Sequence, residues 1–435
     1  MSNVVAVTKD APVFVRPSSS DLPPPCDTVA LSSFDRRVPP IPVTSLLVFH
    51  SRIDKPVETT RRALSRALAY YRPFAGRLDG AGGRIACTDE GATFVGASAS
   101  CSLEQATAAA LQEMDLAVRY PGLLCRDADP LLMFQVTEFT CGGFVVGVTS
   151  NHVVADGVGM AQFLLAVGEL ARGITPPSVV PTRRWDESLS VVVPSSTIVA
   201  TNNNRSMMEH ELKHLARVDV VVPWSLISRI KARVLGCGGD PIPCTVLDAV
   251  MAVLWRCRTR AAIVSPESPA PLRFVCNMRA HAGAPAGYYG NCIRVQVVPA
   301  TAGAVARSSI ADLVRLIGRA KEKVPDLLLS SSSGGVAAAA RQDPDVPLCW
   351  YDTFRVTDWR YLGLDAVDLG GGAPERVLWQ YSGKGTMDDP GCVVYPPCRG
   401  RRDDDGGVDV SFLFLKPEHV DAFLMELARL AASAE

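Results

Sequence analysis

The segment Phe144–Gly173, FVVGVTSNHVVADGVGMAQFLLAVGELARG, constrains this chain more than any other stretch. It opens as an unbroken apolar run, Phe144 to Val148, of the kind that fills a strand buried on both faces. It closes with Met160, Phe163, Leu164, Val167 and Leu170 recurring at three and four, which predicts a helix with one core face. Between them lies Asn151-His152-Val153-Val154-Ala155-Asp156-Gly157. A strand-to-helix junction holds side chains at the rim of a cleft on rigid elements. His152 is the one side chain there able to carry a proton at neutral pH. Two readings are open: Asp156 caps the helix and His152 is a core histidine, or His152 is a general base with Asp156 and Gly157 shaping its turn.

A chain of 435 residues is longer than one core usually organises, so two domains are expected. A formal net charge of -1 argues against a nucleic-acid footprint or strong attraction to a membrane. No apolar run is long enough to span a bilayer, and neither terminus carries a recognisable address. The 13 cysteines are scattered without a CxxC pair, which fits reduced thiols and a cytoplasmic chain.

In chain order, strands are expected at 4–15 (interrupted by proline), 46–49, 74–78 and 84–95, with a helix at 57–71 that stops at Arg72-Pro73. A second amphipathic helix is expected over 103–118, opened by Ser102. Strands 131–139 and 144–150 pair across a turn holding Gly142-Gly143. The proline- and asparagine-rich stretch 174–204 reads as a linker. This gives an N-terminal domain 1–180, a crossover 181–215 and a C-terminal domain 216–435. The second half restarts with strand 218–222 and helices at 224–235, 245–258 and 310–324. Strands follow at 272–276, 291–298, 376–381, 391–395 and 408–415, with a closing helix at 417–430. Strands and helices mix without a βαβ period, so mixed sheets in two α/β layers are expected.

Two further motifs need weighing. His210-Glu211-Leu212-Lys213-His214 matches HExxH, which on a helix binds zinc. No downstream carboxylate or third histidine follows at the required spacing, and a strand begins at Val218, so no metal is expected. Asp368-Leu369-Gly370-Gly371-Gly372 lies outside any strand–GxGxxG–helix arrangement and reads as a tight loop.

His152-Val153-Val154-Ala155-Asp156-Gly157 resembles the HxxxD motif of the plant BAHD acyl-CoA-dependent acyltransferases. Asp368-Leu369-Gly370-Gly371-Gly372 stands in place of that family's DFGWG, at the expected position near the C-terminus. Tyr71 to Leu78 is similar to its YYPLAGRL, and Leu31 to Asp35 to its LSxxD. The helix ending Trp255-Arg256, Asn277 to Arg279 followed by Tyr289-Gly290-Asn291, and the closing FLFLKPEHVDAF extend the likeness over nearly the whole chain.

The resemblance implies a two-domain, chloramphenicol-acetyltransferase-like fold with a channel between the domains. It implies acyl-CoA as co-substrate and a small plant metabolite as acceptor, in a monomer needing no metal, nucleic acid or membrane. His152 and Asp368 are then the catalytic motif residues: His152 the base reached from both ends of the channel, Asp368 holding a loop near CoA. Asp156, paired with Arg279, and Gly157 support the site. Gly370, Gly371 and Gly372 would line the CoA side. The acyl group is expected to be aromatic (hydroxycinnamoyl or benzoyl) or acetyl, moved to a hydroxyl or amine. Two departures stand out. Gly371 replaces the motif tryptophan, which predicts a looser loop and leaves open a weakened or non-catalytic binding protein. Asn277 replaces an aspartate beside Arg279.

Overall fold

The computed structural model describes residues 6–19, 27–79, 83–122, 124–183, 215–236, 243–263, 265–329, 350–380, 391–398 and 406–433. The HExxH segment, the low-complexity run 330–340 and most of the crossover fall outside them.

A seven-stranded mixed sheet holds Val7–Lys9, Ala92–Ala99, Leu132–Glu138, Phe144–Asn151, Pro42–Phe49 and Arg376–Trp379 in that order, with Val13–Val15 also on Ala92–Ala99. The apolar run is its interior strand: every residue of Phe144–Asn151 is buried, between Leu132–Glu138 and Pro42–Phe49. A six-stranded sheet runs Ala216–Pro223, Gly407–Leu415, Gly391–Val394, Phe354–Asp358, Leu272–Asn277, Ile293–Val298. Here Phe354–Asp358 is parallel to both its neighbours.

Each sheet carries its own core. Helices Pro56–Tyr70 and Gly157–Ala171 bury their apolar faces on the first. The second is built around Val246–Ala262, whose interior length from Asp248 to Thr259 is buried throughout. A helix enclosed on all sides must satisfy its polar side chains internally. Arg256 therefore donates to the Ser308 carbonyl at 3.1 Å, and Arg258 to that of Tyr351, stacking on the Tyr351 ring at 4.8 Å.

The two halves of the sequence do not map cleanly onto the two sheets. Arg376–Trp379 returns from the C-terminal half to pair antiparallel with Pro42–Phe49. Tyr289 likewise sits in the first core, 4.9 Å from the Tyr71 ring and 5.7 Å from Phe74. The crossing strand pairs the outer edge of Pro42–Phe49 and becomes the sheet's edge in its place.

Expected elements differ in three places; the segment 84–95, for one, holds the strand Arg84–Ala86 and the start of Ala92–Ala99. The helix over 103–118 is instead a 3-10 turn Leu103–Gln105 and a short helix Ala108–Glu113. Gln105 completes the capping box with Ser102, and the Thr107 hydroxyl accepts from Ala110 N–H, starting a new helix. Strand 74–78 shrinks to Arg77–Leu78, because Arg72–Ala75 coils as a 3-10 turn after Tyr71.

Candidate active site

Strand Phe144–Asn151 ends one residue before His152, and helix Gly157–Ala171 begins one residue after Asp156. The Asn151 side chain accepts from Val153 N–H at 3.1 Å, folding the intervening turn. His152 is held by its backbone from both sides. Its N–H donates to the Ile41 carbonyl at 2.9 Å, and its carbonyl accepts from Asn291 Nδ2 at 2.9 Å. Asn291 Nδ2 also reaches the Val153 carbonyl at 3.0 Å, so one amide from the second half clamps the histidine turn.

The imidazole lies deep in the protein yet keeps part of its surface open to solvent. Nδ1 is the buried nitrogen, which leaves Nε2 as the open one. Burial lowers its pKa below the ordinary histidine value. Its own backbone, the Asp156 carboxylate and Asn291 pull upward without prevailing, and Arg355 adds to the lowering. The ring is therefore neutral at pH 7, with a free lone pair or N–H at Nε2 according to tautomer.

Asp156 is taken up by backbone and arginine partners. It is 2% exposed, and its carboxylate accepts from Gly159 N–H at 3.0 Å and Cys292 N–H at 2.8 Å. Both oxygens take Arg279 in a bidentate pair at 2.8 Å each. Arg279 also donates to the Gly290 carbonyl at 2.8 Å. The helix cap and the salt bridge are thus one object, fastening the first lobe to the second. Asn277 Oδ1 accepts from Arg279 N–H at 3.0 Å, so the uncharged side chain still supplies a local acceptor.

Close backbone approach belongs to Gly159 rather than Gly157. A Cβ on Gly159 would collide with the Tyr289 carbonyl, whereas one on Gly157 would meet the Leu362 side chain at 2.7 Å. Helix Gly157–Ala171 and the Tyr289 backbone therefore meet without a side chain between them.

Asp368 is placed elsewhere. Its carbonyl lies 2.6 Å from where a Gly168 Cβ would stand. Gly168 is three turns along the helix from Gly157, about 16 Å at 1.5 Å per residue. Asp368 accordingly makes no hydrogen bond to His152. Oδ1 accepts from Gly370 and Gly372 N–H at 2.8 Å each, and Oδ2 from Arg172 at 3.0 Å. Burial alone would raise its pKa, but these two N–H groups and Arg172 bring it below the usual value. Leu369 is 4% exposed in the first core. At Gly371 a Cβ would sit 2.8 Å from Ile53 Cγ2, so the loop lies flat on the Ser51–Ile53 segment. The expected looseness is offset by this hydrogen-bonded turn, in which Gly370 and Gly372 take φ of 115° and 99°.

A framework around Asp35 has no counterpart among the residues given roles from sequence. Asp35 is 0% exposed and accepts from Ser32 N–H at 2.8 Å, Ser32 Oγ at 2.7 Å and Arg183 at 3.0 Å. It also accepts from both Asn291 N–H and Nδ2 at 3.0 Å. Its position within Leu31 to Asp35 was visible as a motif; that it meets the Asn291 clamp was not. Among the described residues no cluster of three or more His, Cys, Asp or Glu stands ready for a metal.

Known proteins agree with this architecture. The sequence model of the Transferase family matches residues 5–429. A protein of Oryza sativa subsp. japonica named Acyl transferase 15 is 38% identical, covering 99% of this chain and 99% of its own. A myricetin 3-O-glucosyl 1,2-rhamnoside 6'-O-caffeoyltransferase of Crocosmia x crocosmiiflora is 33% identical over 85% and 87%. The crystal structure of vinorine synthase superposes with a TM-score of 0.76 at 19% identity, covering 98% of both chains. F. sporotrichioides TRI101 complexed with coenzyme A and T-2 gives 0.63 at 18% identity, over 93% and 97%. Two mixed-sheet lobes joined at a histidine turn define the class, a two-domain chloramphenicol-acetyltransferase-like fold. Within that class the chain belongs to the Transferase family, the plant BAHD acyltransferases that use CoA thioesters.

Proposed function

We propose that His152 is the general base of a direct acyl transfer from a CoA thioester to a hydroxyl or amine of a plant metabolite. The observation that carries this is the imidazole itself: neutral by burial, clamped through its backbone by both lobes, and open at one nitrogen. Nε2 takes the acceptor proton as the oxygen or nitrogen attacks the thioester carbonyl. The tetrahedral oxyanion collapses, the C–S bond breaks, and CoA leaves as thiolate, which the imidazolium can protonate. An ester or amide remains. Positioning supplies much of the rate, and the base about 10²–10⁴-fold.

The acyl group we assign is aromatic, hydroxycinnamoyl or benzoyl, with acetyl as the smaller alternative. Support comes from the caffeoyltransferase above and from a benzyl alcohol O-benzoyltransferase of Petunia hybrida, 28% identical over 93% of this chain and 89% of that one. Asp368 serves the reaction by shaping its loop. Gly370 and Gly372 are exposed, with nothing within 4 Å of an added Cβ, and that open backbone suits a CoA chain passing over it. The chain works as a cytoplasmic monomer in this reading; among the described residues no cysteine is in a disulfide.

Loss of the motif tryptophan favours a second reading, a weakened or non-catalytic binding protein. Incubation with acetyl-, benzoyl- and hydroxycinnamoyl-CoA and an acceptor panel separates the two. CoA release that His152→Ala cuts by about 10²–10⁴-fold is the expected result. Release no faster from the parent than from the variant, across the panel, sinks the enzyme reading and leaves the binding protein.

A further inference from the structure

Buried arginines in this fold are answered by acceptors. Arg183 meets Asp35 and Arg360 meets Asp358, while Arg77, Arg256 and Arg258 donate to backbone carbonyls. Arg294 is the exception among the described residues. It is 8% exposed, and its Nε and Nη2 are buried with no hydrogen-bond partner. Nη1 is the nitrogen left open. The guanidinium stacks on the Phe34 ring with Cζ 4.4 Å from the centroid, which covers one face but supplies no negative charge.

Phe34 precedes Asp35, and Asp35 is already committed to Arg183, Ser32 and Asn291. What the same loop offers Arg294 is a second cation, Arg37, an exposed side chain with no acidic partner among the described residues. Burial brings the pKa of the Arg294 guanidinium down to about 10, and the charge of Arg37 contributes. A buried charge within electrostatic reach of a like charge is unfavourable unless an anion offsets them. Position in the chain ties Arg294 to the histidine framework. Cys292, two residues before Arg294, donates to Asp156, and Asn291 holds the His152 carbonyl.

We propose that Arg294 and Arg37 form a binding site for an oxyanion carried by one of the two substrates, either a phosphate of CoA or a carboxylate of the acceptor. Nη1 of Arg294 makes the fixed contact, oriented by Phe34, and Arg37 closes over the anion from solvent. Assignment to a substrate rests on the acyl-transfer reading; anion binding itself does not, and it can be measured in protein that does not turn over.

The experiment is calorimetric titration of full-length His152→Ala protein, alone and combined with Arg294→Met or Arg37→Gln. The probes are CoA, 3'-dephospho-CoA, inorganic phosphate, lactate and methyl lactate. Arg294→Met replaces an unpaired buried charge by an apolar chain of similar length, so its melting temperature should hold or rise. Expected is a loss of about 10- to 100-fold in affinity for an anionic probe in Arg294→Met, as for a charged hydrogen bond, and a smaller loss in Arg37→Gln. If the preference for CoA over 3'-dephospho-CoA disappears, the anion is a CoA phosphate. If the preference for lactate over methyl lactate disappears, it is an acceptor carboxylate. Unchanged affinity for every probe in a folded Arg294→Met protein overturns the site, as does parent protein that binds none of them. Should Arg294→Met fail to fold, the exposed Arg37→Gln decides alone, and no change there also overturns it. An inactive parent enzyme that nevertheless shows these losses would break the acyl-transfer reading and leave the anion site standing.

Discussion

Asp156 and Asp368 are the acidic residues of the chain's two motifs, and both accept backbone N–H groups and one arginine. Their settings are opposite. Asp156 is 2% exposed and ties a helix start in one lobe to Arg279 and Cys292 in the other. The Asp368 side chain is 25% exposed and ties a loop to itself, with Arg172 37% exposed beside it. Breaking a buried pair strands the surviving charge, whereas an exposed one is rehydrated. The same residue type is therefore a fastening between lobes in one place and a local turn in the other.

The largest effect should follow loss of the buried member. Asp156→Ala leaves the Arg279 guanidinium, 16% exposed, without its partner, and should cost about 3–5 kcal/mol in denaturant unfolding. A loss under about 1 kcal/mol would erase the contrast. Next comes Asn291→Ala, which strips the His152 and Val153 carbonyls and the buried Asp35 of a donor. It should cost about 1–3 kcal/mol, with kcat falling more than KM rises, because the histidine turn loses its clamp. Asp368→Ala removes two backbone hydrogen bonds and an exposed ion pair, and about 1–2 kcal/mol is expected from the same unfolding curves. Gly371→Ala sets a methyl 2.8 Å from Ile53 Cγ2 and should lower stability by about 1 kcal/mol.

Smallest in energy, but sharpest, is a pH test. Only neutral His152 can accept a proton. Because its pKa is depressed, the base form persists as pH falls through 6.5, and the acid limb of kcat/KM should lie below that value. Asp156 raises this pKa, so Asp156→Asn should move the limb further to acid. Asp368 is not among the groups acting on His152, so Asp368→Asn should leave the limb in place. A limb at or above pH 6.5, or equal shifts from both variants, would refute the assignment.

Much of this was legible in the sequence where the cause is local. The apolar run Phe144–Val148 became an interior strand, and Asp156 became the cap of a helix that starts at Gly157, because burial period and capping act within one turn. The segment 103–118 departs from its expected helix because local spacing does not see distant partners. Its apolar spacing suits a helix, but Thr107 restarts the coil and Gln112 is drawn to the carbonyl of Trp379, a residue far away in sequence. Likewise Arg376–Trp379 reads as a strand, yet nothing in it specifies which sheet it joins.

By itself, then, the order of residues determined the elements, their caps, the histidine turn and the kinship carried by its motifs. Those depend on side chains within a few positions of one another. Tertiary structure alone decided that His152 would be neutral and partly open, that Asn291 and Ile41 would grip its backbone, and that Arg294 would be buried without an acidic partner. Each of these is a matter of solvent exclusion and of partners more than 100 residues apart, and burial is a property only the assembled lobes possess.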